Sequence, residues 1–181
     1  ALPIYLEIRG LTPPELETDP TAVVVTPRIV EIFAQNTCNL ACIYCNGNLS
    51  SKIENESIKF GAFSKDGVSI PIIDIPTKAT EEYFERFLSW LDKNIKTLSR
   101  LHLLGGETFL QHELMTGVLD IIERHPNPRL ALCIFSNMNV PDRIWNQYID
   151  RIQDLQQRGH ISVFDLTASI DCWGPEQVYV R

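Results

Sequence analysis

The chain has 181 residues, with 16 Lys and Arg against 23 Asp and Glu for a formal net charge of −7 at pH 7 and a sequence pI of about 5.1. Its 44% hydrophobic content is that of a soluble globular protein long enough for one substantial core, and the acidic balance excludes non-specific nucleic-acid binding, which needs a basic face. No apolar stretch approaches the roughly 20 residues that span a membrane, no signal peptide is visible, and an odd count of five cysteines fits a reducing compartment, so a cytoplasmic location is expected.

Both ends read as cuts: the chain begins at Ala1 rather than Met and stops at Arg181 without a terminator, which predicts a piece of a longer protein. Residues 1–27 read as an N-terminal extension. Short strands are predicted at Ile4 to Ile8 and Ala22 to Val25, around a loop from Leu11 to Pro20 that carries three prolines. Strand one is predicted from Arg28 to Ala34, an apolar run. A loop with three cysteines follows it. Residues 46–79 are polar and broken and read as an insertion of about 30 residues, with a hairpin predicted around Asp66-Gly67.

The first clear helix is predicted over Thr80 to Lys96, capped by Thr80, with Tyr83, Phe84, Phe87, Leu88, Leu91 and Ile95 on its core face. Strand two is Arg100 to Leu104 and ends in Gly105-Gly106-Glu107. A helix over Gln111 to Arg124 stops at His125-Pro126. Strand three, Arg129 to Phe135, ends in Ser136-Asn137. Pro141 opens a third helix that Gly159 ends. Strand four is His160 to Ile170, closing in Ser169-Ile170-Asp171-Cys172. Strands that read as fully apolar, alternating with helices, predict an α/β fold with a parallel sheet and helices outside it. All four strand C-termini then fall on one edge.

That edge gathers the residues that carry chemistry. Cys38, Cys42 and Cys45 form C-x-x-x-C-x-x-C, a spacing that lets one tight loop aim three thiolates at one point. Iron–sulfur clusters are held by cysteine thiolates, usually four, so three local ligands leave one iron open. Zinc is the rival, but it favours four Cys/His ligands in two pairs, and no second pair exists here. Gly105 and Gly106 let a ligand approach the backbone, and Glu107 can accept a hydrogen bond from an ammonium. Asn137 offers a donor and an acceptor. Ser169 and Asp171 alternate along the predicted strand and so share a face. Cys133 reads as a core thiol, and His102, His112, His125 and His160 show no metal-ligand spacing.

The cysteine motif, with the aromatic Tyr44 just before its third cysteine, together with Leu103-Leu104-Gly105-Gly106-Glu107, resembles the radical S-adenosylmethionine (SAM) enzymes. The resemblance covers roughly residues 28–181, with 46–79 departing from it. It implies a partial TIM-type (β/α)6 barrel of which about four strands are present and the last are missing. It also implies a [4Fe–4S] cluster on Cys38, Cys42 and Cys45, and SAM on its open iron. Reductive cleavage of SAM would then give a 5′-deoxyadenosyl radical that abstracts hydrogen from a substrate. By the same resemblance Gly105, Gly106 and Glu107 hold the methionine amino group. Asn137 and Ser169 serve the carboxylate or ribose, Asp171 the ribose hydroxyls, and Tyr44 the adenine. The electron donor would be a flavodoxin or ferredoxin. The stretch Ser169 to Gln177 resembles members with a C-terminal SPASM or twitch domain, many of which modify peptides or proteins. Two other readings stay open: an iron–sulfur electron carrier with Cys172 as fourth ligand, and a structural zinc domain.

Overall fold

The computed structural model describes residues 27–61, 64–65, 68–69 and 77–180. In chain order the elements are β1 (Ile29–Phe33), α1 (Ser51–Phe60), β2 (Ser64–Lys65), β3 (Val68–Ser69), α2 (Thr77–Asn94), β4 (Arg100–Leu104), α3 (His112–Arg124), β5 (Ala131–Ser136), α4 (Asp142–Gln157), β6 (Val163–Ala168) and α5 (Glu176–Val180). Short 3-10 turns occupy Ile95–Thr97 and Thr108–Leu110. The fold is α/β: strands β1, β4, β5 and β6 lie side by side in that order, every pair parallel. The order runs one way, without the reversal that marks the switch point of a doubly wound sheet.

The helices that connect these strands cover one face of the sheet. Leu101 and Leu103 of β4 and Leu132 and Ile134 of β5 join one apolar cluster with Phe87 and Leu91 of α2, Met115, Val118 and Ile122 of α3, and Tyr148, Ile152 and Leu155 of α4. Val30, Ile32, Phe164 and Leu166 of the outer strands pack against the same cluster. The alternate residues point the other way. Ile29 and Phe33 are 60% and 49% exposed and Val163 is 39% exposed. The strands are therefore not apolar on both faces, as predicted, but two-sided. The helix face is apolar, and the opposite face is mixed, exposed along the outer strands but with Ala131 and Cys133 buried at its centre. Among the described residues no helix is long and apolar enough to cross a membrane.

Several boundaries differ from the sequence reading. The helix expected from Thr80 begins at Thr77, so Thr80 lies inside the first turn instead of capping it. Tyr83, placed on its core face, is 37% exposed. Strand four is shorter at both ends than His160 to Ile170. His160 is taken by a turn, where its carbonyl accepts from Asn127 N at 2.9 Å, and Ser169 and Asp171 lie past the strand rather than alternating along it. The predicted hairpin is present as β2 paired antiparallel with β3, its Asp66-Gly67 turn lying outside the described residues. The strands expected within 1–26 also lie outside them. Two helices escaped the sequence reading altogether, α1 and α5.

Candidate functional site

The four strand C-termini do share one edge, and the cysteine loop is built there by contacts between loops. Leaving β1, residues Gln35 to Thr37 run against the turn that follows β4. Gly106 N donates to Gln35 O at 3.2 Å and Glu107 N to Thr37 O at 2.7 Å. A Cβ on Gly106 would stand 2.5 Å from the carbonyl oxygens of both Asn36 and Thr37 and 2.8 Å from Cys38 Cβ. One on Gly105, whose φ is +148°, would stand 2.7 Å from Gln35 O. Both glycines are thus required by close packing of the turn on the cysteine loop. The space they free is filled by the backbone of the loop and, at Gly105, by the Gln111 side chain as well.

Helix α1 pins the loop from the other side. Ser50 caps it, accepting from Ile53 N at 3.4 Å, and donates to Leu40 O at 2.7 Å. Ser51 Oγ accepts from Cys38 N at 3.0 Å and donates to Cys38 O at 3.2 Å. Asn36 spans the loop, donating to Gly47 O at 2.9 Å and to Glu54 Oε2 at 2.8 Å. Cys45 N closes a turn on Cys42 O at 2.9 Å. None of the three cysteines is in a disulfide, and Cys42 is buried while Cys38 and Cys45 are partly so. The Cys38 sulfur receives Leu40 N at 3.5 Å and the Asn137 amide at 3.9 Å.

Glu107 is fully buried. Its Oε1 accepts from Phe109 N at 3.1 Å and from Ser136 Oγ at 2.9 Å, and its Oε2 accepts from Asn137 N at 2.6 Å. The carboxylate thus ties the turn after β4 to the end of β5, with three of its roughly four acceptor positions spent. Asn137 is similarly engaged. Its amide donates to Asn39 Oδ1 at 3.0 Å and its Oδ1 accepts from Asn139 N at 2.8 Å. Asn39 in turn reaches back to Asn139 O. The sequence reading passed over Asn36, Asn39, Ser50 and Ser51, the residues that shape the loop. The Ser-Ser pair ahead of a polar stretch was the available signal, as a helix start.

Tyr44 and Asp171 are brought together. The Tyr44 hydroxyl donates to Asp171 Oδ2 at 2.9 Å, and Ile43 N donates to Val180 O at 3.0 Å, so the segment after β6 folds back onto the cysteine loop. Ser169 N continues the β5–β6 ladder onto Ser136 O at 2.8 Å. Cys172 turns to its own segment, with its sulfur 3.6 Å from Gln177 Oε1. Cys133 is buried in β5, and burial first, then the neighbouring Asp165 carboxylate, pushes its thiol pKa up against the pull of Arg100.

Among the described residues no group of three or more His, Cys, Asp or Glu side chains is arranged to hold a metal ion. The donor chemistry nonetheless fits a thiolate-bound cluster. Three cysteines outside any disulfide lie on one pinned loop, and N–H donors already face the sulfur of Cys38. Comparison of the chain with protein-family models, with curated proteins and with solved structures finds no match.

Proposed function

We propose that this chain is part of a radical SAM enzyme, a (β/α) barrel segment. In it Cys38, Cys42 and Cys45 hold a [4Fe–4S] cluster, and the edge formed by Tyr44, Gly105, Gly106, Glu107, Asn137, Ser169 and Asp171 holds SAM. The observation that carries the reading is the packing of two sequence motifs on each other. The C-x-x-x-C-x-x-C loop and the Gly-Gly-Glu turn are about 60 residues apart in sequence, yet Gly106 N and Glu107 N bond directly to Gln35 O and Thr37 O at the loop's entry. A one-way parallel strand order and a site at the strand C-termini agree with it.

When bound, the cluster and SAM supply one-electron cleavage of SAM and hydrogen abstraction from a substrate. The chain's own work is positioning. Ser51 fixes Cys38 at both its N–H and its carbonyl, and Asn36 ties the loop's entry to Gly47 and Glu54. Leu40 N–H and the Asn137 amide donate toward the Cys38 sulfur, the kind of contact that sets cluster potentials. Glu107 holds the ends of β4 and β5 at fixed separation, and so acts on any ligand above them through the backbone it orders. The Tyr44–Asp171 bond holds the segment after β6 beside the loop.

Anaerobic incubation with iron, sulfide, SAM and dithionite, read by 5′-deoxyadenosine formation, tests the reading. The native chain forms the nucleoside, and Cys42→Ala does not while keeping its circular dichroism spectrum. Equal formation by both would remove the cysteine motif from the site.

A further inference from the structure

The cysteine loop contains a pair as well as a triad. Cys42 and Cys45 are the two ends of one four-residue turn, Cys42-Ile43-Tyr44-Cys45, closed by Cys45 N donating to Cys42 O at 2.9 Å. Such a turn keeps its end Cα atoms within about 7 Å of each other, and a disulfide needs roughly 4.4–6.8 Å. The turn is also held from outside. Ile43 N donates to Val180 O at 3.0 Å, and the Tyr44 hydroxyl donates to Asp171 Oδ2 at 2.9 Å. Both central residues are thus tied to the segment after β6. Contacts that need no metal keep the two cysteines at bridging separation.

The other cysteines are directed elsewhere. Ser51 bonds both the N–H and the carbonyl of Cys38, whose sulfur receives Leu40 N at 3.5 Å and the Asn137 amide at 3.9 Å. Cys38 also lines a cavity of about 430 Å³ against α1, together with Lys52, Asn55 and Lys59. The Cys172 sulfur stands beside Gln177 Oε1, and Cys133 is buried in β5. Within the 42–45 pair exposure is unequal, Cys45 being partly exposed and Cys42 only 8% exposed. Access governs which thiol meets an external disulfide, so the outer thiol reacts first and the buried one second.

We propose that Cys42 and Cys45 are a redox modification site, a dithiol that closes to a disulfide when the loop holds no cluster and meets a low-molecular-weight disulfide such as oxidised glutathione. Cys45 attacks one sulfur of the glutathione disulfide, forming a mixed disulfide and releasing one glutathione thiol. Cys42 then attacks the Cys45 sulfur, forming the Cys42–Cys45 bond and releasing the second. Two electrons pass from the cysteines to the glutathione disulfide, and the two cysteine protons leave on the two glutathione thiols. The bridge itself does not depend on the proposed function, but its consequence rests on that reading. Two of the three cluster ligands are withdrawn, so the oxidised loop takes up no cluster until a dithiol reduces it.

The full 181-residue chain, reduced and freed of metal, is treated with oxidised glutathione, alkylated with iodoacetamide, digested and sequenced by tandem mass spectrometry. The expected product has Cys42 bridged to Cys45 and Cys38 alkylated, about tenfold or more over any bridge through Cys38, Cys133 or Cys172. Cys42→Ser should stop at the glutathione adduct on Cys45, and Cys45→Ser should leave Cys42 to be alkylated. In a second arm the bridged chain is offered ferrous iron and sulfide before and after dithiothreitol, and cluster absorbance should appear only after it. Failure of the cluster reading is a separate result: the reduced chain then takes up no cluster while the bridge still forms. Bridges shared between Cys38 and either partner, or Cys42 and Cys45 both alkylated after the treatment, overturn the site. Cluster uptake by the bridged chain without dithiothreitol overturns its consequence.

Discussion

Replacing Glu107 tests whether the carboxylate is a structural tie before it is anything else. Glu107→Gln preserves shape but offers one acceptor oxygen in place of two. With that oxygen at the Oε1 position, Phe109 N and Ser136 Oγ keep their partner, and the new amide NH2 faces Asn137 N–H, a donor against a donor, across what was a 2.6 Å bond. With the amide reversed, Phe109 N–H loses its acceptor instead, and it is fully buried. Either way one donor is stranded, at about 1–3 kcal/mol. Glu107→Ala strands three, Ser136 among them at 2% exposure, and a loss of about 3–6 kcal/mol follows. In a chain of this size 1 kcal/mol moves Tm by about 2–4 °C. Glu107→Gln should therefore lower Tm by about 2–12 °C, and Glu107→Ala should lower it further or abolish cooperative unfolding. The assay is thermal unfolding by circular dichroism of the chain without iron or SAM. An unchanged Tm in Glu107→Gln would refute the reasoning, because the carboxylate would then be idle until a ligand arrives.

Other consequences follow from the same contacts. Gly106→Ala pushes a Cβ against two backbone carbonyls that cannot rotate away. It should cost about 1–3 kcal/mol and lower iron uptake, whereas Gly61→Ala, with open space around it and only its φ of +92° to strain it, should leave iron uptake unchanged. Iodoacetamide at neutral pH should label Cys133 at least tenfold more slowly than Cys38, since burial and Asp165 keep its thiol protonated; mass spectrometry of the alkylated peptides reads both. Glu123 is held below its ordinary 4.5 by the hydrogen bond from Arg158 and then that from Arg151. Its contribution is present above that ordinary value and is lost as pH falls through the lowered folded one. Urea midpoints measured between pH 5 and pH 2 should fall slightly less steeply in Glu123→Gln than in the parent, and the difference should shrink with salt.

The elements that sequence reading located best are those whose apolar residues are buried by the chain itself. Helices α3 and α4 show their stripe plainly because Leu114, Val118 and Ile122, and Tyr148, Ile152 and Leu155, all enter one core. Helix α1 has no such stripe. Only Ile53 of it is buried, while Ile58 and Phe60 are more than 70% exposed. It is held by its Ser50 cap and by the Asn36–Glu54 bond, contacts that hydrophobic periodicity does not register. The two faces of the sheet were merged for a related reason. Short apolar runs such as Leu101 to Leu104 look continuous, and only pairing shows that Arg100 and His102 face one way and Leu101 and Leu103 the other.

The candidate site divides in the same manner. The cysteines and the Gly-Gly-Glu turn were legible because their spacing is local. What they touch was not, because it depends on register and loop packing. Gly106 is packed on the cysteine loop and Gly105 on Gln111 and Gln35, Glu107 is engaged by Phe109, Ser136 and Asn137, and Asp171 by Tyr44. The Glu31–His102–Cys133–Asp165 level was invisible for the strongest version of this reason. Strand pairing sets Glu31 beside His102, His102 beside Cys133 and Cys133 beside Asp165, and no spacing in the sequence announces those neighbours.

The central claim is tested most directly by anaerobic reconstitution with iron and sulfide, followed by EPR of the reduced protein with and without SAM. The account predicts a [4Fe–4S] signal, lost in the variant with Cys38, Cys42 and Cys45 all replaced by Ala, that shifts when SAM is added. Stoichiometric zinc with no cluster signal would contradict it. So would a cluster whose spectrum ignores SAM in both the native chain and Cys172→Ala.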